Sequence, residues 1–255
     1  GTLTLDSGGT LTTPGALSGA SMYLRGAFGM TLAHNITTPG TLQLTADNFI
    51  TQSGGVITVG GATFGGGPPG STNIALTNVS NDFASVGLSG SAIALRDSNA
   101  IVLDAFNVGS SLTVLANGNV TQSAPLIVSG TTSVSSITGN ITLDTPGNNL
   151  NSLSVSGGAI DIVEGAGSSL TVTALTSNGP NRPVSIVAGH TLTLPGTPIS
   201  TGTANLTLAS EIGPLVVPAA LSGATVNLSA GTTMTIGANI TSDNLFLTAG
   251  DAITQ

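Results

Sequence analysis

A ten-residue segment that recurs along the chain places the strongest constraint on its fold. It consists of an apolar residue, any residue, a second apolar residue, any residue and Ala, then a turn of Gly, Asn or Asp, then an apolar residue and Thr. We call this segment the box. Its clearest copies are LQLTADNFIT from Leu42, LTVLANGNVT from Leu112, VSIVAGHTLT from Val184, VNLSAGTTMT from Val226 and LFLTAGDAIT from Leu245.

Further copies of the box, some with a degenerate turn, recur at mostly regular intervals. The period is about 20 residues, which is typical of a solenoid, in which equal units stack on one another. Positions 1 and 3 are apolar in every box, as expected for residues on one face of a strand, so we predict that both point into the core. The boxes begin at residues 3, 22, 42, 74, 93, 112, 141, 160, 184, 206, 226 and 245.

The composition favours an all-β fold. Apolar residues recur at every second position rather than at helical spacing, and Gly, Pro and Asn interrupt the chain every few residues. Hydrophobic residues make up 40% of the chain and aromatic residues only 3%, so the core must be mainly aliphatic. Cys is absent, which excludes disulfides and thiolate metal sites.

Two longer features interrupt or extend the basic period. The box at Leu42 is followed by the next box only at Ile74, beyond the Gly- and Pro-rich segment 65–71. Because Pro cannot donate to a strand ladder, we predict that residues 65–71 form a protruding loop. In addition, the box at Ile74 with Asn81-Asp82-Phe83 recurs, at the same internal spacing, as the box at Ile141 with Asn148-Asn149-Leu150. This recurrence indicates a duplicated unit of about three coils.

Several motifs resemble the repeat regions of large bacterial filamentous-haemagglutinin-like exoproteins. Three boxes close with an apolar residue, Thr and Gln, at Phe49–Gln52, Asn119–Gln122 and Ala252–Gln255. The segments Asn81-Asp82-Phe83, Val86–Gly90 and Ala92–Asp97 are also similar. The resemblance covers essentially the whole chain. It implies a right-handed shaft and a structural, adhesin-like role in a protein secreted by Gram-negative bacteria or held at their surface.

We therefore predict an all-β fold consisting of one right-handed parallel β-helix, or β-solenoid. It should contain about twelve coils of roughly 19–22 residues with a few loop insertions. Residues 1–255 should form a single repeat segment cut from a longer chain. Asp6 and Arg25 occupy position 4 of consecutive boxes and should lie side by side on the surface.

The alternative function is that of a carbohydrate-active β-helix enzyme or a glycan-binding module. A hydrolase site would require two carboxylates about 5–10 Å apart in one cleft. The nearest group of acids is Asp82, Asp97 and Asp104, which we interpret as solvated turn carboxylates, while Asp161 and Glu164 should face opposite sides of one strand. His34 and His190 should be surface residues. We predict no catalytic, cofactor-binding or metal site, no cofactor and no enzymatic activity.

The charge balance bears on possible partners. Three basic residues, all Arg, and eleven acidic residues give a net charge of −8, which argues against nucleic acid and anionic membranes. No apolar run is long enough for a membrane-spanning helix, so we predict no membrane insertion. The expected partners are neighbouring coils of the parent chain or a second copy stacked end to end, and a host or cell-surface glycan or protein is a further candidate.

Overall fold

The computed structural model describes residues 1–68 and 70–255, and in this part of the chain all regular structure is β-strand. The strands pair in parallel with strands of adjacent turns, which defines a parallel β-solenoid of about 13 turns. This confirms the all-β fold and the approximate number of coils. By contact density the chain divides into two compact units, Gly1–Gly130 and Thr131–Gln255.

The first unit contains fifteen of the described strands, and each early turn contributes three of them. The first three strands pair with the next three in order, so one side of a turn stacks on the same side of the following turn. The strands are β1 Thr2–Ser7, β2 Thr10–Thr12, β3 Leu17–Ser18, β4 Ser21–Gly26, β5 Gly29–Leu32, β6 Ile36–Thr38, β7 Leu42–Ala46, β8 Phe49–Gln52, β9 Ile57–Gly66, β10 Asn73–Leu76, β11 Asp82–Asp97, β12 Ile101–Leu103, β13 Phe106–Ala116, β14 Val120–Gln122 and β15 Leu126–Val128.

The second unit repeats the same organisation. Its boxes stack without a change of column from residue 141 to residue 249. The strands are β16 Thr131–Ser136, β17 Ile141–Leu143, β18 Ser152–Gly157, β19 Ile160–Val163, β20 Leu170–Ser177, β21 Val184–Ala188, β22 Leu192–Thr193, β23 Ile199–Ser200, β24 Leu206–Ser210, β25 Leu215–Val217, β26 Leu221–Ala230, β27 Met234–Ile236, β28 Ile240–Ala249 and β29 Ile253–Thr254.

The inward direction of box positions 1 and 3 is confirmed for ten of the twelve boxes, whose residues at these positions are at most 2% exposed. Alternation of inward and outward side chains along each strand produces this pattern. The first box is only half-buried at Leu3 and Leu5, and in the last box Leu245 and Leu247 are 44% and 36% exposed. Each of these outer boxes pairs with a neighbouring coil on one side, at β4 and β26 respectively.

The box at Ile74 does not stack on the first half of the box at Leu42, so the predicted alignment is wrong at this point. Leu42 pairs instead with Thr63, and Ile74 pairs with Ile50 in the second half of that box. The strand that stacks on the box at Leu42 is a degenerate copy of the box, Thr63–Gly66, in which Thr63 and Gly65 replace the apolar residues at positions 1 and 3. We call each strand in such a stack a rung. Thr63 is fully buried, and its hydroxyl has no hydrogen-bond partner among the described residues.

The predicted loop 65–71 also requires a correction. Gly65 and Gly66 belong to β9 and pair with β7 on one side and β11 on the other. Their positive φ angles, 156° and 112°, and the approach of neighbouring carbonyls leave no room for a Cβ, so glycine is what permits the strand to continue. A turn does follow at Pro68–Ser71, where the amide of Ser71 donates to the carbonyl of Pro68 at 3.1 Å, while Pro69 lies outside the described residues.

The local register predicted for the first two coils is confirmed. Asp6 pairs with Arg25 across β1 and β4, and Arg25 Nη1 lies 3.1 Å from Asp6 Oδ1. Because both side chains are more than half exposed, the ion pair contributes little stability, at most about 1 kcal/mol. Its position shows that the boxes at Leu3 and Met22 are stacked in the predicted register.

Because stacked turns are equivalent, we expect that one complete turn can be removed from the second unit. Deletion of residues 206–225 would bring Val226 onto Val184, because Leu206 now pairs with both. This variant should keep its β-sheet circular dichroism and a cooperative thermal transition. The matched deletion of residues 206–215 removes half a turn, places strands out of register and should destabilise the second unit, which would lower or split the thermal transition. Equal behaviour of the two deletions would contradict the stacking model.

Candidate functional site

The most unusual polar group in the first unit is a buried carboxyl. Asp97 is the last residue of β11, and its side chain is 1% exposed. Its Oδ2 accepts a hydrogen bond from the Phe83 amide and its Oδ1 one from the Asn99 amide, each at 2.8 Å. Burial raises the pKa of Asp97 above its usual value, although the two amides oppose this effect.

Asn81 lies close to this carboxyl, in the corner before β11, and is fully buried. Its Oδ1 accepts hydrogen bonds from the Ile57 amide at 3.0 Å and from Gln52 Nε2 at 2.8 Å. Its own carbonyl accepts the Ser98 amide at 2.7 Å. Asn81 and Asp97 therefore satisfy backbone donors in a corner where the chain leaves the strand ladder. We call such a pair of buried Asn and buried acid a clasp.

The second unit contains a second clasp at the equivalent place in the duplicated sequence. Glu164 is 3% exposed, and its carboxyl oxygens lie 3.1 and 3.2 Å from the Leu150 amide, which donates to them. The fully buried Asn148 donates from Nδ2 to the carbonyls of Leu143 at 3.1 Å and Val163 at 2.9 Å. Desolvation by burial raises the pKa of Glu164 from 4.5 to about 7.

The interpretation of Asp82, Asp97 and Asp104 as solvated turn carboxylates is wrong for Asp97. Asp82 is half-exposed and accepts a hydrogen bond from Asn99 Nδ2 at 3.0 Å, while Asp104 is half-exposed and accepts one from Ser123 Oγ at 3.2 Å. The structure does not combine the three carboxylates into one outward cluster.

The role of Glu164 was missed by sequence reasoning. Asp161 and Glu164 do differ in exposure as expected, but they do not share a strand, because β19 ends at Val163. The signal that could have found the clasps is the duplication itself. The spacing that relates Asn81 to Asn148 also relates Phe83 to Leu150 and Asp97 to Glu164. An acid that recurs with a buried Asn at the same place in both copies has a structural task in the repeat.

His34 and His190 are both exposed, as predicted, and lie in different units. His34 Nδ1 is 3.0 Å from the carbonyl oxygen of Thr13, and His190 Nδ1 is 3.0 Å from Thr191 Oγ1. Within residues 1–68 and 70–255, no group of three or more His, Asp or Glu side chains could hold a metal ion. The same residues include no helix long and apolar enough to span a membrane.

An outward groove of about 210 Å³ lies across β1, β4 and β7 in the first unit. The Tyr23 ring is 43% exposed in the groove, beside the Asp6–Arg25 ion pair and the exposed side chain of Gln43. Parallel register places Tyr23 opposite Thr4 on one side and Gln43 on the other. An aromatic face is thus surrounded by planar polar side chains.

The same outward column continues beyond this groove. Gln43 pairs with Phe64, which is 42% exposed, and Phe64 pairs with Gly87. Because Gly87 has no side chain, a second groove of about 280 Å³ opens beside Phe64 and reaches Asp104. We call the column Thr4, Tyr23, Gln43, Phe64 and Gly87, with the flanking Asp6, Arg25 and Asp104, the aromatic stripe.

Fold and repeat together define a tandem-repeat β-solenoid. A family model matches the chain twice in succession, over residues 20–89 and 90–157. These matches span more than half of the sequence, and the chain belongs to this family, described as "Repeats of unknown function (DUF5649)". The two matched segments are nearly equal in length and correspond to the duplicated unit of about three coils. No curated protein and no solved structure matches the chain.

The raised pKa of Glu164 predicts that the second unit loses stability as the pH rises. The folded state holds the proton more tightly than the unfolded state, so the full contribution is present below pH 4.5 and is lost on approach to pH 7. The loss should be on the order of 3 kcal/mol. Urea unfolding at several pH values, followed by circular dichroism, measures it.

Glu164→Gln is the informative variant, because its amide keeps an acceptor for the Leu150 amide without titrating. It should remove this part of the pH dependence and be more stable than the unsubstituted chain at pH values above the raised pKa. Glu211→Gln, at an exposed carboxyl in the same unit, is the matched control and should leave the profile unchanged. If stability changes with pH in the same way for the unsubstituted chain and for Glu164→Gln, Glu164 is not the cause of this pH dependence.

Proposed function

We propose that this chain is a structural shaft segment of a secreted or cell-surface, adhesin-like protein and carries out no catalysis. The observation that carries the proposal is the repeated burial of apolar residues at box positions 1 and 3. Ten consecutive boxes, those that begin at residues 22 to 226, bury both of their inward residues. A molecule built in this way gains length by adding equivalent turns, and each turn is stabilised mainly by its neighbours.

The tandem family match supports a role based on repetition. Two adjacent copies of one repeat are matched, and a clasp stands near the end of each, at Asn81 and at Asn148. The acid of the first clasp, Asp97, lies in the following copy, and Glu164 lies just beyond the second copy. Each clasp therefore ties the end of one repeat to the segment that follows it, which is the requirement of an extended shaft.

The arrangement of acids supports a non-catalytic role. Glycoside hydrolysis uses two carboxyl groups that face each other across a substrate cleft. Asp97 and Glu164 are turned inward and occupied by backbone amides. Asp6 and Asp104 face outward, but they line different grooves, one carboxyl in each.

The surface location in the proposal is supported by the composition and by the resemblance to haemagglutinin-like repeats. The outward positions are mostly uncharged Thr, Ser, Gly and Ala, and the three closing motifs with Thr and Gln are in the style of those exoproteins. An uncharged, hydroxyl-rich wall remains solvated without specific counterions and suits a long exposed shaft.

Labelling of cells tests the location. Antibodies raised against residues 1–255 should stain intact source cells or detect the protein in the medium, because the proposal places the segment outside the cell. Antibodies against a cytoplasmic enzyme provide the control for leakage. Detection of the segment only after lysis would overturn the proposed surface role.

The proposal includes end-to-end stacking of the last coil on a neighbouring coil or a second copy. β28 pairs with β26 on one side, and Leu245, Leu247 and Ile253 are exposed. A strand edge with exposed apolar side chains favours association. Sedimentation of the isolated chain should show concentration-dependent association that is weakened by a combined Leu245→Lys and Leu247→Lys change. Ile212→Lys, at an exposed position elsewhere in the second unit, should have no effect. If the isolated chain without substitutions is strictly monomeric, this part of the proposal is contradicted.

A further inference from the structure

The aromatic stripe concentrates residue types that are otherwise rare in this chain. The sequence contains one Tyr, six Phe and three Arg among 255 residues. The stripe contains the single Tyr, one of the Arg residues and an exposed Phe within three turns of the first unit. The position taken by Tyr23 is occupied by Thr or Gln on the adjacent turns, so the fold does not require an aromatic residue there.

The spacing along the stripe is regular because parallel register fixes it. Tyr23 and Phe64 lie two rungs apart, with Gln43 on the rung between them. Neighbouring rungs are about 4.8 Å apart, so the two rings are separated by roughly 10 Å across the strands. Successive rings of an extended polysaccharide are spaced similarly to these rungs, so that one sugar could lie over each.

The polar groups around the rings are of the kind that bind sugar hydroxyls. Asp6 offers carboxylate acceptors, and Arg25 offers guanidinium donors beyond the one used in the ion pair. The Gln43 amide is exposed, and neither it nor the Tyr23 hydroxyl has a hydrogen bond with the described residues. Pyranose rings present an apolar C–H face that packs on an aromatic ring and hydroxyls at their edge, which matches this distribution.

We propose that the aromatic stripe binds a neutral, linear, pyranose-containing glycan that runs from rung to rung across Tyr23, Gln43 and Phe64. The site goes beyond the shaft role and does not depend on it. Each groove of the stripe contains one carboxyl, so the site is suited to binding without hydrolysis.

Charge decides in favour of a neutral glycan. The chain has a net charge of −8, and in the Tyr23 groove the one Arg is already paired with an acid. Asp104 adds a further negative charge at the other end of the stripe. A polyanionic glycan would meet repulsion with no free cation to offset it, whereas hydroxyl groups can accept from Arg25 and donate to Asp6 without a change in charge.

The chain carries its own reporter for this site. Because it has one Tyr and no Trp, its intrinsic fluorescence on excitation of tyrosine arises from Tyr23 alone. The full chain should be titrated with cellohexaose, chitohexaose and mannohexaose as neutral probes and with hexagalacturonate as the anionic probe. We expect a saturable change in Tyr23 emission with at least one neutral probe and none with hexagalacturonate.

Calorimetry then assigns the binding to the stripe. Tyr23→Ser and Gln43→Ala should each weaken binding of the responding probe by about tenfold or more through loss of ring stacking or amide contacts. Phe246→Ser, at an exposed Phe in the second unit, is the matched control and should bind the responding probe as tightly as the unsubstituted chain does. Circular dichroism would verify that all three variants, altered at exposed positions, remain folded.

Three outcomes would overturn the proposal. They are the absence of a response to all the neutral probes at millimolar concentration, a response to hexagalacturonate alone, and equal affinity of the unsubstituted chain and of Tyr23→Ser for the responding neutral probe. None of them would affect the shaft proposal, which rests on the interior and on cell labelling.

Discussion

The stacking of one rung on the next is the interaction on which the whole structure depends. Rungs repeat at about 4.8 Å, so each inward side chain contacts its counterparts above and below and is closed off from water. Met22, Leu42 and the equivalent residues of later boxes meet this requirement with aliphatic side chains that are fully buried. A polar residue at such a position has few partners within reach, and the buried hydroxyl of Thr63 has none among the described residues. The uniformity of the boxes follows from this restriction, and it explains how a chain with little charge and few aromatic residues forms a core.

Corners present the opposite requirement, since backbone amides that leave the ladder still need acceptors. The two clasps meet it with buried side chains. Asp97 accepts from the amides of Phe83 and Asn99, and Glu164 accepts from the amide of Leu150. Burying an acid is costly when it is charged, and the cost is expressed as a raised pKa. Desolvation by burial is the main cause at both residues, and amide hydrogen bonds oppose it, two at Asp97 and that of Leu150 at Glu164.

The sequence allowed the fold, the number of turns and the inward residues to be predicted, because a regular period and alternate burial are local patterns. It failed where local patterns carry no signal. The strand segment Thr63–Gly66 has no apolar residue at its inward positions, and it is held in place by β7 and β11 rather than by its own preference. Because this segment stacks on the first half of the box at Leu42, Ile74 stacks on Ile50 in the second half of that box. The direction of Asp97 could not be predicted either, because a corner residue can turn inward or outward and only the unsatisfied amides of Phe83 and Asn99 decide.

The same division between interior and surface bears on where function can reside. Inward positions are committed to stacking, and a change there alters stability before it can alter recognition. Outward positions carry no such commitment, and over most of the solenoid they are small or hydroxylated. Tyr23 and Phe64 depart from that background without being needed for the core, since both rings are substantially exposed. An exposed ring in water offers the fold little benefit, whereas rings held at a fixed spacing by parallel strands can recognise an extended ligand with little loss of side-chain entropy. Parallel strand pairing therefore fixes both the stacking of the inward residues and the spacing of the outward side chains.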